Sequence, residues 1–208
     1  MPNVASLNSL PYRHVLPHTT ALSPAGRLSI GGCDLRELAE TYGSPLYVFD
    51  EQDFRETARE YQREFASHWP EVSVLYAAKA YLSLPLANIV AEEGMGMDVV
   101  SGGELAIARA AGFPSSRLYF HGNNKSAEEL AAAVSGDPVG RVVVDNFHEL
   151  TELNRIAGEH ATRQPILLRV SPNVDPHTHA KTTTGVLDSK FGFAIANGDA
   201  EKAVAAAI

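Results

Sequence analysis

Five short apolar runs, at residues 72–78, 97–100, 118–120, 142–144 and 166–170, alternate with four helical segments near 85–93, 104–111, 126–134 and 147–157, and nothing else in the chain constrains its fold as strongly. Runs of three to seven residues rich in valine, leucine and aromatics are too short for helices and suit strands buried in a sheet. Strands alternating with helices imply parallel pairing through right-handed crossovers, which leaves a doubly wound sheet or a (β/α)8 barrel. Polar residues decide between them. Lys79, Asp98, His121-Gly122-Asn123, Asp145-Asn146 and Arg169 recur at or just after the strands' C-terminal ends, which in a barrel converge on one mouth. A doubly wound sheet would instead place a glycine-rich turn after its first strand, and none follows Ala78. The expectation is an α/β fold: a TIM-type barrel, incomplete, with about five strands present.

Upstream, Pro2, Pro11, Pro17 and Pro24 interrupt residues 1–30, predicting a loosely structured arm that leads into a short strand near 27–30. Asp34 is placed to cap a helix over 35–42, with Gly43 as its stop and Pro45 forbidding continuation. Residues 46–49 read as a strand. Asp50 then caps a longer helix with Phe54, Ala58, Tyr61 and Phe65 on one face. The expected division is an N-terminal arm over 1–44, contributing to a β domain, and a partial barrel over 45–208.

A chain of 208 residues with 45% hydrophobic content can bury a sizeable core, and a net charge of −8 disfavours nucleic acid or another polyanion as partner. No basic leader with an apolar core opens the chain and no segment is apolar enough to span a bilayer, so the expected location is cytoplasmic. The single cysteine, Cys33, excludes an internal disulfide framework, fits a reducing compartment and is expected to be a packing residue.

Lys79 ends an apolar run, Val72-Ser73-Val74-Leu75-Tyr76-Ala77-Ala78. An amine buried at a barrel mouth loses charge to desolvation and condenses with a carbonyl cofactor; pyridoxal phosphate is the evident one. A carboxylate near such an amine, as Asp98 is expected to be, stabilises its charged form. Ser101-Gly102-Gly103-Glu104 opens a helix whose backbone N–H groups can meet an anion, but a Ser101 cap with Glu104 completing a capping box accounts for the same residues. Ser126 is a cap for the next helix. Arg169, flanked by Leu167, Leu168 and Val170, requires a phosphate or carboxylate partner if its head turns inward. Residues 172–190 lack hydrophobic periodicity, as functional loops do. His177 and His179 lie there without further ligands at diagnostic spacing, so no metal site is expected. No G-x-S-x-G elbow, Walker loop or G-x-G-x-x-G fingerprint is present.

Tyr76-Ala77-Ala78-Lys79-Ala80, the run Met97-Asp98-Val99-Val100-Ser101-Gly102-Gly103-Glu104-Leu105, His121-Gly122-Asn123-Asn124-Lys125-Ser126 and Ser189-Lys190-Phe191-Gly192 together resemble the diaminopimelate decarboxylases. These are pyridoxal-phosphate enzymes of the alanine-racemase-like fold. Residues 43–50 and 179–185 extend the resemblance over nearly the whole chain after Ser29. It implies a pyridoxal phosphate held on Lys79, with Asp98 near that lysine and Arg169 on the strand floor beneath. It implies decarboxylation of meso-diaminopimelate to L-lysine, a homodimer with shared active sites, and Ser189 and Lys190 near the subunit interface. It also implies residues outside these 208: a stacking histidine, a serine and a glycine-rich loop for the phosphate, a glutamate for the pyridine nitrogen, and a cysteine and tyrosine completing the partner's site.

A complete barrel takes roughly 250 residues, so the chain is expected to be an N-terminal portion, inactive and poorly soluble alone because its sheet edge is open. Two other readings stay open: a sister decarboxylase acting on ornithine, arginine or carboxynorspermidine, and a non-catalytic pyridoxal-phosphate-binding protein.

Overall fold

The structure, a computed structural model, describes residues 7, 12–174 and 191–208. His177, His179, Ser189 and Lys190 fall outside the described residues. The chain divides into two compact units, Met1–Val72 and Ser73–Ile208.

The first unit is built on an antiparallel meander, β1 (Ala21–Leu22), β2 (Leu28–Ile30) and β3 (Cys33–Asp34), followed by helices α1 (Leu35–Tyr42) and α2 (Glu51–His68). Asp34 caps α1 by accepting from the backbone N–H groups of Arg36 and Glu37, and Asp50 caps α2 by accepting from that of Asp53. Both caps are where the sequence puts them. Three expectations are corrected. Residues 46–49 form no strand, because β-branched and aromatic residues make one only where a neighbouring strand takes up their backbone groups. Tyr47 is instead 91% exposed. Cys33 lies exposed on β3 and packs no core. On α2 only Ala58 of the expected stripe is buried, Phe54 is half-buried, and Tyr61 and Phe65 are exposed.

The second unit holds the predicted alternation: β4 (Leu75–Ala77), α3 (Leu84–Glu92), β5 (Gly96–Val99), α4 (Gly102–Ala110), β6 (Leu118–Phe120), α5 (Ala127–Val134), β7 (Arg141–Val144), α6 (Phe147–Glu159) and β8 (Ile166–Leu168). The five strands pair in parallel in sequence order. The expected strand at 166–170 is interrupted at Arg169. β8 pairs with β7, and the next two residues, β9 (Val170–Ser171), pair in parallel with β10 (Phe193–Ala194), an unpredicted strand that leads into α7 (Asp199–Ala207). Arg169 is the switch point: its N–H donates to Val144 O and its carbonyl accepts from Phe193 N–H.

Register divides the sheet into two faces. Met97, Val99, Leu118, Phe120, Val142 and Val144 share one face and are each fully buried. Leu86, Val90, Leu105, Leu130, Val134, Leu153 and Ile156 of α3–α6 complete that core. The other face carries Ala77, Asp98, Tyr119 and Arg141 in register, with Val143 and Leu167 paired two residues further along; there Ala77, Asp98, Tyr119 and Arg141 are half-buried, Val143 is buried and Leu167 is 45% exposed. No helix among the described residues is long and apolar enough to cross a membrane.

Candidate active site

Parallel strands bring their C-terminal ends to one rim, and the chemistry of this chain gathers there. Lys79 sits in the 3-10 turn Ala78–Ala80 that follows β4 directly and lies against β5. The Tyr76 hydroxyl, from the middle of β4, donates to Tyr81 O at 2.7 Å and so braces the turn across its length. Lys79 is exposed and forms no hydrogen bond or ion pair among the described residues. The burial expected for it is therefore not supplied by these strands, because the uncovered face of the sheet presents too little surface to desolvate an amine. Asp98 stands on the adjacent strand, in register with Ala77, on the uncovered face.

Asp98 pairs not with Lys79 but with His121, whose Nδ1 is 3.3 Å from Asp98 Oδ1. His121 follows β6, and its backbone N–H donates to Val99 O at 2.7 Å. Its other ring nitrogen, Nε2, is buried and has no hydrogen-bond partner among the described residues. Gly122 has φ of +104°, and a Cβ there would stand 2.8 Å from Val100 O, so only glycine lets this loop lie so close to the end of β5.

Arg169 has the carboxylate partner its position demands, supplied by the protein: its Nη1 donates to Asp145 Oδ1 at 3.2 Å, and its guanidinium lies 4.3 Å from the centre of the Phe191 ring. Asp145, buried, also accepts from Gly192 N–H at 3.3 Å. Arg169 thus neighbours neither Lys79 nor Asp98 in the pairing order; it ends the fifth strand where they belong to the first and second.

Lys125 and Glu149 form a pair that the sequence did not disclose. Their side chains are 1% and 4% exposed, with Lys125 Nζ 2.7 Å from Glu149 Oε1. The ammonium also donates to Gly122 O at 2.6 Å and Val143 O at 2.9 Å, while the N–H of Asp145 donates to Glu149 Oε2 at 3.3 Å. Burial pushes the Glu149 carboxyl above its ordinary value, and Lys125 pulls it the other way. A lysine inside Asn-Asn-Lys-Ser reads as loop, and a glutamate in a helix's first turn reads as a dipole partner; neither local pattern signals the contact.

The four rim helices meet their own caps. Ser83, Ser101, Ser126 and Asn146 each accept from the backbone N–H three residues on. Glu129 spans two of these ends, accepting from Ser126 N–H at 2.9 Å and from Gly102 N–H at 2.6 Å. Glu104 accepts from Val100 N–H, one residue before the cap, so the expected capping box is shifted by one. The Ser-Gly-Gly turn is accordingly a capped helix start with the Gly102 donor already engaged, and the capping account of these residues is the one that applies.

Among the described residues, an amine without a polar partner, a carboxylate one strand away and a buried nitrogen without a hydrogen bond at the same rim fit a carbonyl cofactor whose bound nitrogen carries positive charge. The comparisons with known proteins agree with that chemistry. A diaminopimelate decarboxylase from Bacillus methanolicus is 47% identical over 190 residues, covering 91% of this chain and 44% of the relative, and that of Bacillus subtilis (strain 168) is 47% identical over 186 residues. The chain therefore spans less than half the length of the curated relatives it matches. Among solved structures, the diaminopimelate decarboxylase of M. jannaschii in complex with L-lysine superposes with a TM-score of 0.80 at 36% identity, covering 92% of this chain and 44% of that one. The family described as pyridoxal-dependent decarboxylase, pyridoxal binding domain, matches residues 51–208, and to that family this chain belongs.

Proposed function

We propose that the natural polypeptide carrying these residues removes one carboxylate from meso-2,6-diaminopimelate and releases L-lysine, with pyridoxal phosphate as cofactor. The observation that carries this reading is the Lys79 amine just after β4, without a polar partner among the described residues and one strand from the Asp98 carboxylate, in a chain 47% identical to diaminopimelate decarboxylases. When bound, pyridoxal phosphate supplies an electron sink for the pair left behind as carbon dioxide departs.

The chain's own residues have separate tasks. Lys79 holds the cofactor through Nζ and, having no polar partner among the described residues, accepts or delivers a proton at that atom. Asp98, on β5 in register with Ala77 and paired with His121, supplies the carboxylate of the site. Arg169, fixed by Asp145, keeps further N–H donors available at the floor of the site. Residues 1–44 serve as the arm of a β domain, and the active enzyme is a cytoplasmic homodimer with shared sites. The sister decarboxylases gain no specific support: the viral arginine decarboxylase is 19% identical, a likeness of fold alone.

Borohydride reduction of the natural polypeptide with pyridoxal phosphate, followed by peptide mapping, tests the assignment. One pyridoxyl label on Lys79, lost together with lysine formation in Lys79→Ala, is the expected result. A label on another lysine, or lysine formation surviving in Lys79→Ala, overturns it.

A further inference from the structure

The His121 to Ser126 loop is held more firmly than a connection requires. The His121 N–H extends the β5–β6 ladder past the last residue of β6. Gly122 lies against Val100 O in a conformation that other residues rarely adopt. Lys125 then reaches back, buried, to clasp the Gly122 carbonyl, the Val143 carbonyl of β7 and Glu149. Burying an ammonium is costly unless it is paired and fully hydrogen-bonded, and here that cost is met at a loop whose first residue is His121. The loop is tied to the strand on either side of it, and the ring emerges with Nδ1 beside Asp98 Oδ1.

We propose that His121 is a positioning residue of the cofactor site, which sets the orientation of the Asp98 carboxylate while the Lys125–Glu149 clasp sets the orientation of His121. The inference rests on the cofactor reading above and deepens it. Asp98 is 24% exposed, on the face of the sheet without a helical cover. Its one side-chain partner among the described residues is His121, so without the ring the carboxylate is free to turn toward solvent and away from Lys79. An asparagine at this position keeps a donor nitrogen near the place of Nδ1, whereas a leucine keeps the bulk and loses the donor.

The test uses the natural polypeptide, titrated with pyridoxal phosphate and followed by visible absorption and by the circular dichroism of the bound cofactor, which reports its orientation. His121→Leu is expected to bind the cofactor about tenfold to hundredfold more weakly, the range for a charged group that loses its polar partner, with an altered visible dichroism. His121→Asn is expected to restore most of both. Because His121 acts through Asp98, His121→Leu/Asp98→Asn is expected to be no worse than Asp98→Asn alone. Unchanged affinity and dichroism in His121→Leu, or losses that simply add in the double variant, overturn the proposal. Should His121→Leu fail to give a cooperative thermal transition, His121→Asn decides: native-like binding and dichroism support the proposal, and a tenfold loss in a folded protein overturns it. Borohydride labelling of the native protein separates the two levels of inference. A native protein that takes no label at Lys79 overturns the cofactor reading and this inference together, whereas labelled native protein with an indifferent His121→Leu overturns this inference alone.

Discussion

The two faces of the parallel sheet are made from the same strands and have opposite tasks. On the covered face Met97, Val99, Leu118, Phe120, Val142 and Val144 are sealed beneath four helices. On the other, Asp98 and Tyr119 are half-buried and Leu167 is 45% exposed. Alternation along a strand therefore separates packing from polar exposure by a single residue: Met97 and Val99 hold the sheet together, and Asp98 between them lies on the opposite, half-buried face. At the C-terminal edge lies a buried ion pair, Lys125–Glu149, that belongs to neither face.

The largest expected difference between the faces is in packing. Phe120→Ala empties a fully buried position and is expected to cost about 3–5 kcal/mol, as truncation of a core aromatic does. Leu167→Ala removes a side chain that is nearly half in water and is expected to cost less than about 1 kcal/mol, in proportion to the smaller area it buries. Urea unfolding midpoints of the natural polypeptide, at unchanged slope, measure both. A loss at Leu167 equal to that at Phe120 would mean that the second face is as fully covered in solution as the first, and the distinction between faces would not hold.

The rim makes a different prediction. Lys125→Met leaves Glu149 buried without its cation, so it is expected to cost about 3–5 kcal/mol, whereas Lys125→Met/Glu149→Leu is expected to recover most of that loss, because two apolar groups of similar volume need no mutual compensation. Chemical unfolding of the three proteins decides. A double variant as unstable as the single one would show that the clasp on the Gly122 and Val143 carbonyls, not the charge pair, is what the loop depends on.

Most of the parallel alternation was legible in the sequence because each strand carries its own signal: a run such as Val142-Val143-Val144 is too short and too β-branched for a helix and is flanked by turn residues. The helix starts at Asp34, Asp50, Ser101 and Ser126 were legible for a similar reason, since a cap is a local interaction within four residues. What escaped was whatever depends on a distant partner. Residues 46–49 have strand propensity and no strand to pair with. Phe193 and Ala194 have a partner in β9 but make too brief an apolar run to announce it. Lys79 and Arg169 follow β4 and β8, and Asp98 lies within β5, yet the side chains they meet were not foreseeable: His121 for Asp98, Asp145 for Arg169, and among the described residues no polar partner for Lys79. Pairings across a rim are set by the curvature and register of the sheet, which local pattern does not encode.

The smallest effect expected is also the one that weighs burial against pairing most directly. Burial raises the folded-state value of the Glu149 carboxyl above its ordinary 4.5, and the Lys125 ammonium, 2.7 Å away, opposes that rise without cancelling it. A carboxyl whose value is raised on folding binds its proton more readily in the folded state than in the unfolded one. Its contribution to stability is then fully present below the unfolded value and is lost as pH rises through the folded value. Glu149→Gln has no such proton. The stability of the native protein relative to Glu149→Gln is therefore expected to increase as pH is lowered from neutrality toward about 4.5, a change read as the difference between their urea midpoints across that range. General acid destabilisation acts on both proteins and drops out of the difference. If the relative stability instead falls on acidification, the attraction to Lys125 outweighs the cost of burial, Glu149 is held as a carboxylate more strongly folded than unfolded, and the clasp at Gly122 is stabilised by its charge pair more than by its hydrogen bonds to the backbone.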